Sequence, residues 1–477
     1  MGFNALVLLY FAAINGVYLM TTSLALATVR RYARQLRLLD LLDPSRSRAA
    51  PPITIVAPAF NEEATCVEST RSLLWLDYPR HHIIVVNDGS SDATLDRLTT
   101  SFDLVPASRM PTSELPTAPV RRIYQSRNHP NLWVIDKSNG GKADALNAGI
   151  NYCATPFFCA VDADTVLDRD ALTRIVRPFL EDRRTVAAGG LIRVVNDCDV
   201  RSGIVERVRL PRNMLARLQV VEYLRAFLVG RIGWARMNAS MVIAGAFGLF
   251  SRTAVVDAGG YASRHTTGET VGEDMELVVR MKRVGAERGV DFRLAFVPDS
   301  VAWTEVPESL SVLSRQRERW QRGLYESLTR HRTMLFRPAY GATGMVSFPH
   351  FFLLEMMGPV VETLGYLAFG ATVAMGLASP GYVLAFFTLS VLLGVVMSLS
   401  AVVLEELAFG RYSSRRDLLW LFALAVLENL GYRQLNMVWR LKGLVRAIRG
   451  AQGWGRMERR GFSGSVPSAG KQPAEAR

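Results

Sequence analysis

The chain has 477 residues, of which 49% are hydrophobic and 21% charged, with a formal net charge of +13. The apolar residues cluster at the N-terminus and between about residues 345 and 440, which is typical of a membrane protein and argues against a wholly soluble one. Arginines such as Arg30, Arg31 and Arg415 flank the apolar runs, which favours membrane flanks on the cytoplasmic side. No zinc-finger or RNA-binding signature is present, so nucleic acid is not the expected partner.

The first predicted element is a membrane anchor at residues 1–30. Residues 4–29 carry no charge, are long enough to span a bilayer, and are followed by RRYARQLR. Because a cleaved signal peptide carries its positive charge before the apolar stretch, we expect a retained helix whose C-terminal end is cytoplasmic. Residues 38–50 are predicted to be a linker. The four cysteines could form two disulfides, but buried reduced thiols are the favoured interpretation.

Residues 51–335 have the pattern of a soluble α/β domain. Apolar runs predict strands at 53–60, 83–86, 132–136 and within 156–165, and helical spacing predicts helices at 62–76 and 142–152. Alternating strands and helices predict a doubly wound, mostly parallel sheet, in which ligands bind at the carboxyl ends of the strands. The Pro- and Ser/Thr-rich stretch 106–119 is predicted to be an exposed loop.

Apolar character returns in a predicted transmembrane and interfacial region at residues 345–446. The candidate spans are 348–377, 383–404 and 418–439, the last interrupted by Glu428, Asn429 and Arg433. Three spans after the α/β domain would place the basic RLKGLVRAIRG outside, against the positive-inside tendency. We therefore expect 418–446 to be re-entrant or interfacial, and the tail 447–477 to be cytoplasmic with a disordered end. Glu428 either lines a cavity or forms a buried ion pair.

Two acidic motifs follow predicted strands. Asp162 and Asp164 form a D-x-D pair, whose carboxylates can face one divalent cation that bridges diphosphate oxygens. Most such pairs are solvated loop residues, but here the strand end and the neighbouring motifs favour a site. Asp88, in NDGSSD, could accept hydrogen bonds from a base or a ribose, although Asn, Asp, Gly and Ser also form ordinary turns.

Three further segments carry candidate side chains. Lys142 follows two glycines at the start of a predicted helix, which suits a phosphate or is a plain helix start; the P-loop spacing is absent. Glu273 and Asp274 precede another predicted helix, where a carboxylate could act as a general base or as an N-terminal cap. The segment QRERW places Arg319 and Trp320 for diphosphate binding and sugar stacking, or in an interfacial belt.

The ordered set PAFNEE, NDGSSD, NGGKADALN, DAD, GED and QRERW resembles the processive family 2 glycosyltransferases, which include cellulose, hyaluronan, chitin-type and poly-N-acetylglucosamine synthases. The resemblance covers residues 51–335 and is greatest for the poly-N-acetylglucosamine and chitin-oligosaccharide branch. It implies a GT-A fold, a UDP-sugar donor, Mg²⁺ or Mn²⁺, and inversion at the anomeric carbon. By motif it implies donor binding by Asn61, Glu62, Asp88, Lys142, Asp162 and Arg319, metal binding by Asp164 and Asp162, acceptor binding by Glu273, Gln316 and Trp320, and Asp274 as the catalytic base.

The chain departs from the family pattern in three places. Asn87 stands where the family often has Asp, and Gly272 where it often has Thr, so a contact to a sugar hydroxyl is missing or replaced. No long regulatory domain follows the spans, so control by a cyclic dinucleotide is not expected. The basic segment 454–462 is a candidate gate over the donor site.

The leading hypothesis is a multi-pass enzyme of the inner (plasma) membrane that extends a β-linked polysaccharide from a UDP-sugar on the cytoplasmic side. In this hypothesis the product crosses the membrane through the enzyme's own spans or with an export partner. One alternative is a non-processive transferase that makes a glycolipid. An alternative from another class is a catalytically silent membrane scaffold.

Overall fold

The computed structural model describes residues 2–39, 50–201, 203–412 and 414–450. The candidate gate at 454–462 lies outside the described residues. The strands are β1 (Ile53–Ala59), β2 (His81–Asp88), β3 (Leu104–Pro106), β4 (Val120–Ser126), β5 (Leu132–Lys137), β6 (Phe157–Val161), β7 (Val166–Leu167), β8 (Thr185–Val194), β9 (Asp199–Arg201), β10 (Ile204–Arg207), β11 (Phe247–Ser251) and β12 (Arg293–Thr304).

Ten of these strands form one mixed sheet in the order β3-β4-β5-β2-β1-β6-β11-β8-β12-β7, and β9 pairs with β10 in a separate hairpin. The adjacent strands β5, β2, β1 and β6 are mutually parallel, and β8 is parallel to β12. The remaining pairs are antiparallel. The four parallel strands are those predicted from the apolar runs, and their carboxyl ends share one edge of the sheet. The predicted α/β GT-A fold class is confirmed.

Helices cover both faces of this sheet. They are α2 (Cys66–Leu74), α3 (Thr94–Phe102), α4 (Lys142–Asn151), α5 (Ala171–Ile175), α6 (Arg177–Glu181), α7 (Met214–Tyr223), α8 (Arg231–Arg236), α9 (Arg252–Asp257), α10 (Glu273–Glu287) and α11 (Leu310–Arg330), numbered after the N-terminal helix α1 (Gly2–Leu39). A π-helical turn at Leu224–Gly230 joins α7 to α8. All four cysteines are free, as expected.

The C-terminal region is helical, with α12 (Gly358–Ala374), α13 (Pro380–Phe387), α14 (Leu393–Ala408), α15 (Arg415–Leu427) and α16 (Arg433–Ile448). Within the described residues, two helical stretches are long and apolar enough to cross a membrane, Gly2–Val29 and Pro380–Ala408. A third crossing is formed if Thr343–Met356 and Gly358–Ala374, which meet at a bend of 45°, act as one span. These three stretches contain the predicted spans 4–29, 348–377 (all but its last three residues) and 383–404.

The segment after α14 begins and ends beside the α/β domain. Before α15, Arg411 Nη2 donates to Asp168 Oδ2 at 2.9 Å, and at the end of α16 Arg446 forms an ion pair with Glu318 of α11. Between α15 and α16 the helix breaks at Leu430 and Gly431, where φ reaches +99°. We call residues 415–448 the C-terminal hairpin. These contacts support the interpretation that the hairpin enters and leaves on one side.

Glu428 is buried in this hairpin and forms an ion pair, which is one of the two alternatives that the sequence left open. Its Oε1 accepts from Arg225 Nε at 3.2 Å and from Ser398 Oγ. The partner is therefore an arginine of the π-helical turn after α7, and the structure shows no such ion pair between Glu428 and Arg433. This buried pair joins the hairpin to the α/β domain and to α14.

Candidate active site

The D-x-D pair lies where the sequence placed it, directly after the buried strand β6. Thr165 N donates to Asp162 O at 3.0 Å, which closes a tight turn around the two aspartates. Both Asp162 and Asp164 line the large cavity described below, and Asp162 is the more exposed of the two. The turn therefore presents two carboxylates at the carboxyl edge of the sheet, where a parallel sheet binds its ligands.

Lys142 is the first residue of α4 and reaches into the same cavity. Its Nζ lies 2.6 Å from Asp162 Oδ1 and 3.5 Å from Glu273 Oε1. Burial alone would lower the pKa of Lys142, but the charges of Asp162 and Glu273 outweigh it and raise the pKa above its ordinary value. The ammonium is therefore a permanent positive charge, held between two motifs that are far apart in sequence.

Glu273 and Asp274 begin α10. Asp274 Oδ2 accepts from Gly245 N at 3.1 Å, and its Oδ1 accepts from its neighbour Met275 N at 2.8 Å. Burial raises the pKa of Glu273 to about 7, against the opposing charge of Lys142. We call Lys142, Asp162, Glu273 and Asp274 the cavity cluster.

Gly272 stands where two backbones touch. A Cβ on Gly272 would lie 2.7 Å from the Cα of Gly323 in α11, and a Cβ on Gly323 would lie 2.7 Å from the Cα of Gly272. A threonine at position 272 would therefore collide with main-chain atoms that cannot rotate away. The departure from the family pattern is explained by close packing of the start of α10 against α11.

A single cavity of about 1420 Å³ joins the α/β domain to the membrane-side helices. Its α/β wall includes the cavity cluster and Asp164. Its other wall includes Ile14 and Tyr18 of α1, Glu362 of α12, and Asn436 and Arg440 of α16. The carboxylates of the D-x-D turn therefore open into a space that continues between the apolar helices.

The QRERW segment lies on α11 and forms part of the α/β wall of this cavity. Gln316, Arg319 and Trp320 are spaced three and four residues apart, so they share one helix face, and all three line the cavity. Trp320 exposes 38% of its surface. The positive charge of Arg319 opposes the rise in the pKa of Glu273, which places the two side chains within electrostatic reach. The structure thus brings together the D-x-D, NGGK, GED and QRERW motifs.

Asp88 is placed differently. It is 2% exposed and is not among the described residues that line the cavity. Its Oδ1 accepts from Lys137 Nζ at 2.6 Å and from Gly140 N at 3.0 Å, and its Oδ2 accepts from Gly141 N at 2.7 Å. In this conformation Asp88 shapes the glycine turn that precedes Lys142, so direct contact with a uridine stays a prediction.

Lys137 also lies 2.6 Å from Asp144 Oδ1, and neither side chain is exposed to solvent. Asp144 in turn accepts from Ala118 N and lies 2.7 Å from His265 Nδ1. We call Lys137, Asp88 and Asp144 the inner cluster. The sequence patterns identified only Asp88 of these three, because nothing local in WVIDK marks Lys137 as the partner of two distant carboxylates.

Asn61 and Glu62 belong to a network between the loops after β1 and β2. Asn61 has φ of +55°, its Oδ1 accepts from Ser91 N at 2.8 Å, and Glu62 N donates to Thr94 Oγ1 at 2.9 Å. Neither residue is among the described lining residues of the cavity. The structure therefore places them at the same sheet edge as Asp88, and their predicted role in donor binding stays a prediction.

Two residues of the cavity wall were missed by the sequence patterns, Glu222 at the end of α7 and Arg231 at the start of α8. Burial lowers the pKa of Arg231 to about 10, although the charge of Asp274 opposes this. Neither residue belongs to a recognisable motif. A weak signal is that both lie in an apolar helical stretch, where a charged side chain requires a partner.

A divalent cation would find two protein ligands here. Within the described residues no group of three or more His, Cys, Asp or Glu side chains is arranged to hold a metal ion. Mg²⁺ is commonly held by only one or two carboxylates together with substrate phosphates and water, so Asp162 and Asp164 fit a metal that arrives with a diphosphate. They do not form a closed structural metal site.

Two family models match the chain, one described as glycosyltransferase like family 2 over residues 114–323 and one as glycosyl transferase family 2 over residues 54–104. The chain contains a family 2 glycosyltransferase domain. The chain is 30% identical over 281 residues to the poly-beta-1,6-N-acetyl-D-glucosamine synthase of Staphylococcus aureus strain COL. The aligned residues cover 58% of this chain and 56% of that relative. The synthase of the same name from Staphylococcus epidermidis is 27% identical over 293 residues, covering 61% of this chain and 59% of that relative.

This chain thus spans somewhat more than half the length of these curated relatives. Among solved structures, the mannosyltransferase PcManGT from Pyrobaculum calidifontis, in complex with GDP-Man and Mn²⁺, is similar with a TM-score of 0.48 at 16% identity, covering 94% of this chain and all of that one. Glucosyl-3-phosphoglycerate synthase from Mycobacterium tuberculosis gives a TM-score of 0.34 at 16% identity, covering 59% and 82%. The predicted resemblance to the family 2 glycosyltransferases is confirmed by the family models over residues 54–104 and 114–323.

Proposed function

We propose that the protein is an inverting transferase that moves N-acetylglucosamine from its UDP-sugar onto the end of a growing β-linked polysaccharide. The observation that carries this proposal is the single cavity that joins the cavity cluster to the membrane-side helices. The names of the Staphylococcus relatives support the choice of sugar. We place the enzyme in the inner (plasma) membrane with its α/β domain cytoplasmic, because the basic run RRYARQLR follows the first apolar helix and leads into that domain.

In this proposal Lys142 and Arg319 bind the donor diphosphate, and Asp162 and Asp164 hold Mg²⁺ or Mn²⁺. The cation, when bound, neutralises charge that develops on the diphosphate. Asp274 accepts the proton of the acceptor hydroxyl. The acceptor oxygen forms its bond to the anomeric carbon while the bond from that carbon to the diphosphate oxygen breaks, and UDP leaves with the electron pair. One displacement inverts the configuration without a covalent intermediate.

The orientation of Asp274 supports its role as the base. Its two oxygens accept from the main-chain N–H groups of Gly245 and Met275, which orient the carboxylate. The acceptor end is assigned to Gln316 and Trp320, because an indole face stacks on a sugar ring and a buried amide can bind a hydroxyl. We also assign Glu273, whose Oε1 lies 3.5 Å from Lys142 Nζ, to the acceptor site.

The test is sugar transfer by the purified full-length protein in lipid nanodiscs, with a panel of radiolabelled UDP-sugars and either Mg²⁺ or Mn²⁺. We expect UDP release from UDP-N-acetylglucosamine, loss of activity on chelation, and a product cleaved by a linkage-specific hydrolase. Asp274→Asn should lower the rate by roughly 10²- to 10⁴-fold, the usual contribution of a general base. The matched control is Asp257→Asn, an exposed aspartate paired with Arg288, which should leave the rate unchanged.

Product length separates the two enzymatic alternatives. A ladder of long products supports a processive polymerase, whereas addition of a single sugar to a lipid identifies a glycolipid synthase. No transfer from any donor, with folded protein and both metals present, would refute the proposal and favour a silent scaffold. Whether the product crosses the membrane alone or through an export partner is a separate measurement, made on sealed vesicles.

A further inference from the structure

Glu222 joins three elements at the cavity wall. It is on the last turn of α7, and its Oε2 accepts from Arg317 Nη2 of α11 at 2.6 Å and from the hydroxyl of Tyr432 at 2.7 Å. Its Oε1 accepts from Asn436 Nδ2 at 3.3 Å. Tyr432 and Asn436 belong to the C-terminal hairpin, so one carboxylate ties the hairpin to the helix that carries the QRERW segment.

Arg317 carries this connection to Trp320. Its guanidinium carbon lies 4.2 Å from the centre of the Trp320 ring, which is the distance of a cation–π contact. Arg317 is only 2% exposed, whereas Trp320 is open to the cavity. The ring of Phe227 lies 6.2 Å from that of Trp320 and is tilted by 55°. Arg317 and Phe227 thus restrict the orientation of the exposed indole.

The buried arginine needs its carboxylate. A guanidinium removed from water is stable only when it is paired, and Arg317 Nη2 forms its ion pair with Glu222 Oε2 at 2.6 Å. Without Glu222, Arg317 would turn toward the water of the cavity. The ring of Trp320 would then lose the contact that fixes it, while the cavity cluster keeps its own partners.

We propose that Glu222 is a positioning residue of the acceptor site, which holds Arg317 against Trp320 and makes acceptor binding depend on the seating of the C-terminal hairpin. This inference rests on the proposed transfer of a sugar to an acceptor at Trp320. It assigns the hairpin a role in substrate binding, through Tyr432 and Asn436. Displacement of the hairpin would loosen the acceptor site without altering the groups assigned to the donor.

The kinetic test uses Glu222→Gln in full-length enzyme in nanodiscs, with saturating UDP-N-acetylglucosamine and a varied β-linked N-acetylglucosamine oligosaccharide. Loss of a cation–π contact that orders the ring should raise the acceptor KM by roughly three- to thirtyfold. The donor KM should stay within twofold. Arg317→Lys keeps the charge near Glu222 but loses the planar stacking group, and we expect the same rise. Tyr432→Phe should give a smaller rise in the same direction.

The control is another buried ion pair between the α/β domain and the membrane helices. Arg193 of β8 and Glu405 of α14 are 2.8 Å apart and both are 2% exposed, but neither lines the cavity. Glu405→Gln should disturb folding as much as Glu222→Gln without raising the acceptor KM. If Glu222→Gln does not fold, Arg317→Lys and Tyr432→Phe decide the result.

A spectroscopic measurement tests the positioning without any activity. The signal of Trp320 is the difference in fluorescence between each protein and its Trp320→Phe version. We expect acrylamide to quench this difference signal more strongly in Glu222→Gln than in wild type. An unchanged acceptor KM in both Glu222→Gln and Arg317→Lys, or an equal rise in donor KM, would overturn the inference. Inactive wild-type enzyme would instead refute the proposed function, while the quenching result would still decide the positioning.

Discussion

Two lysine–carboxylate clusters contain lysines that lie only five residues apart in sequence, Lys137 and Lys142. The two clusters differ in their burial and in their surroundings. In the inner cluster Lys137 is fully buried between Asp88 and Asp144, and main-chain N–H groups donate to both carboxylates. In the cavity cluster Lys142 is one-fifth exposed and contacts Asp162, which is one-quarter exposed. The same residue types therefore form a fully buried cluster in one place and a cluster that is partly exposed to the cavity in the other.

The difference shows how a site of this kind is assembled. The inner cluster fixes the turn Asn139–Gly141, because Asp88 accepts from the main chain of Gly140 and Gly141. That turn starts α4 and so sets the position of Lys142. Lys142 and Asp162 keep part of their surface open to the cavity, whereas Lys137, Asp88 and Asp144 are buried among protein partners. Exposure to the cavity is the property that distinguishes the two clusters.

The largest effect that this comparison predicts is on stability. Lys137→Met leaves two buried carboxylates without their cation, which should lower the free energy of unfolding by about 3–5 kcal/mol. Lys142→Met should cost less, about 1 kcal/mol, since its nearest partner Asp162 is partly exposed, but should abolish most transfer. Thermal unfolding in nanodiscs and UDP release measure the two quantities, with exposed Lys442→Met as the control. Equal losses of stability in both variants would show that the two clusters do not differ in kind.

The next effect concerns the contact that brings α10 to α11. Gly272→Ala places a methyl group 2.7 Å from the Cα of Gly323, and overpacking of this sort costs about 1–3 kcal/mol. Because Asp274 and Gln316 move with these helices, we expect the transfer rate to fall at least about tenfold, which is 1.4 kcal/mol in the barrier. Gly370→Ala is the matched control, since a Cβ there meets nothing within 4 Å. Normal activity in Gly272→Ala would show that the spacing of α10 and α11 is not critical.

The sequence predicted one part of this site well and another poorly. The apolar runs of β1, β2, β5 and β6 predicted the parallel core, so side chains at their carboxyl ends could be assigned to one edge. The pairings of β8 with β11 and β12 join residues far apart in the chain, and no local pattern contains them. The burial of individual acidic side chains could not be predicted from local sequence patterns either. Asp88 and Asp162 both follow apolar strands, and only the reach of Lys137 from the neighbouring strand β5 separates their surroundings.

Gly272 and Glu222 show two further limits of local patterns. From the sequence, glycine instead of threonine at position 272 is interpreted as a missing or replaced substrate contact. The structure shows a steric cause, because Gly323 of α11 lies too close for a side chain at this position. Glu222 has no motif at all, because its partners Arg317 and Tyr432 are 95 and 210 residues away. Motifs predicted the residues assigned to substrate, whereas the residues that hold them in place come from tertiary packing.

A further effect that we expect is a pH dependence of stability that arises from Glu273 of the cavity cluster. Burial raises the pKa of Glu273 from 4.5 to about 7, so between these values the folded protein binds a proton that the unfolded chain has lost. Stability must therefore fall as pH rises through this window, by at most about 1.4 kcal/mol per pH unit for one proton. Above about pH 7 the contribution is flat.

Glu273→Gln removes this titration, so the Tm of wild type minus that of the variant should decline from about pH 4.5 to about pH 7. The comparison variant is Asp144→Asn in the inner cluster. It removes a carboxylate that contacts the buried Lys137 instead of one that lines the cavity. Parallel Tm curves for wild type and Glu273→Gln would show that Lys142 and Arg319 keep Glu273 ionised throughout. Exposure to the cavity, and not titration, would then be what distinguishes the cavity cluster from the inner cluster.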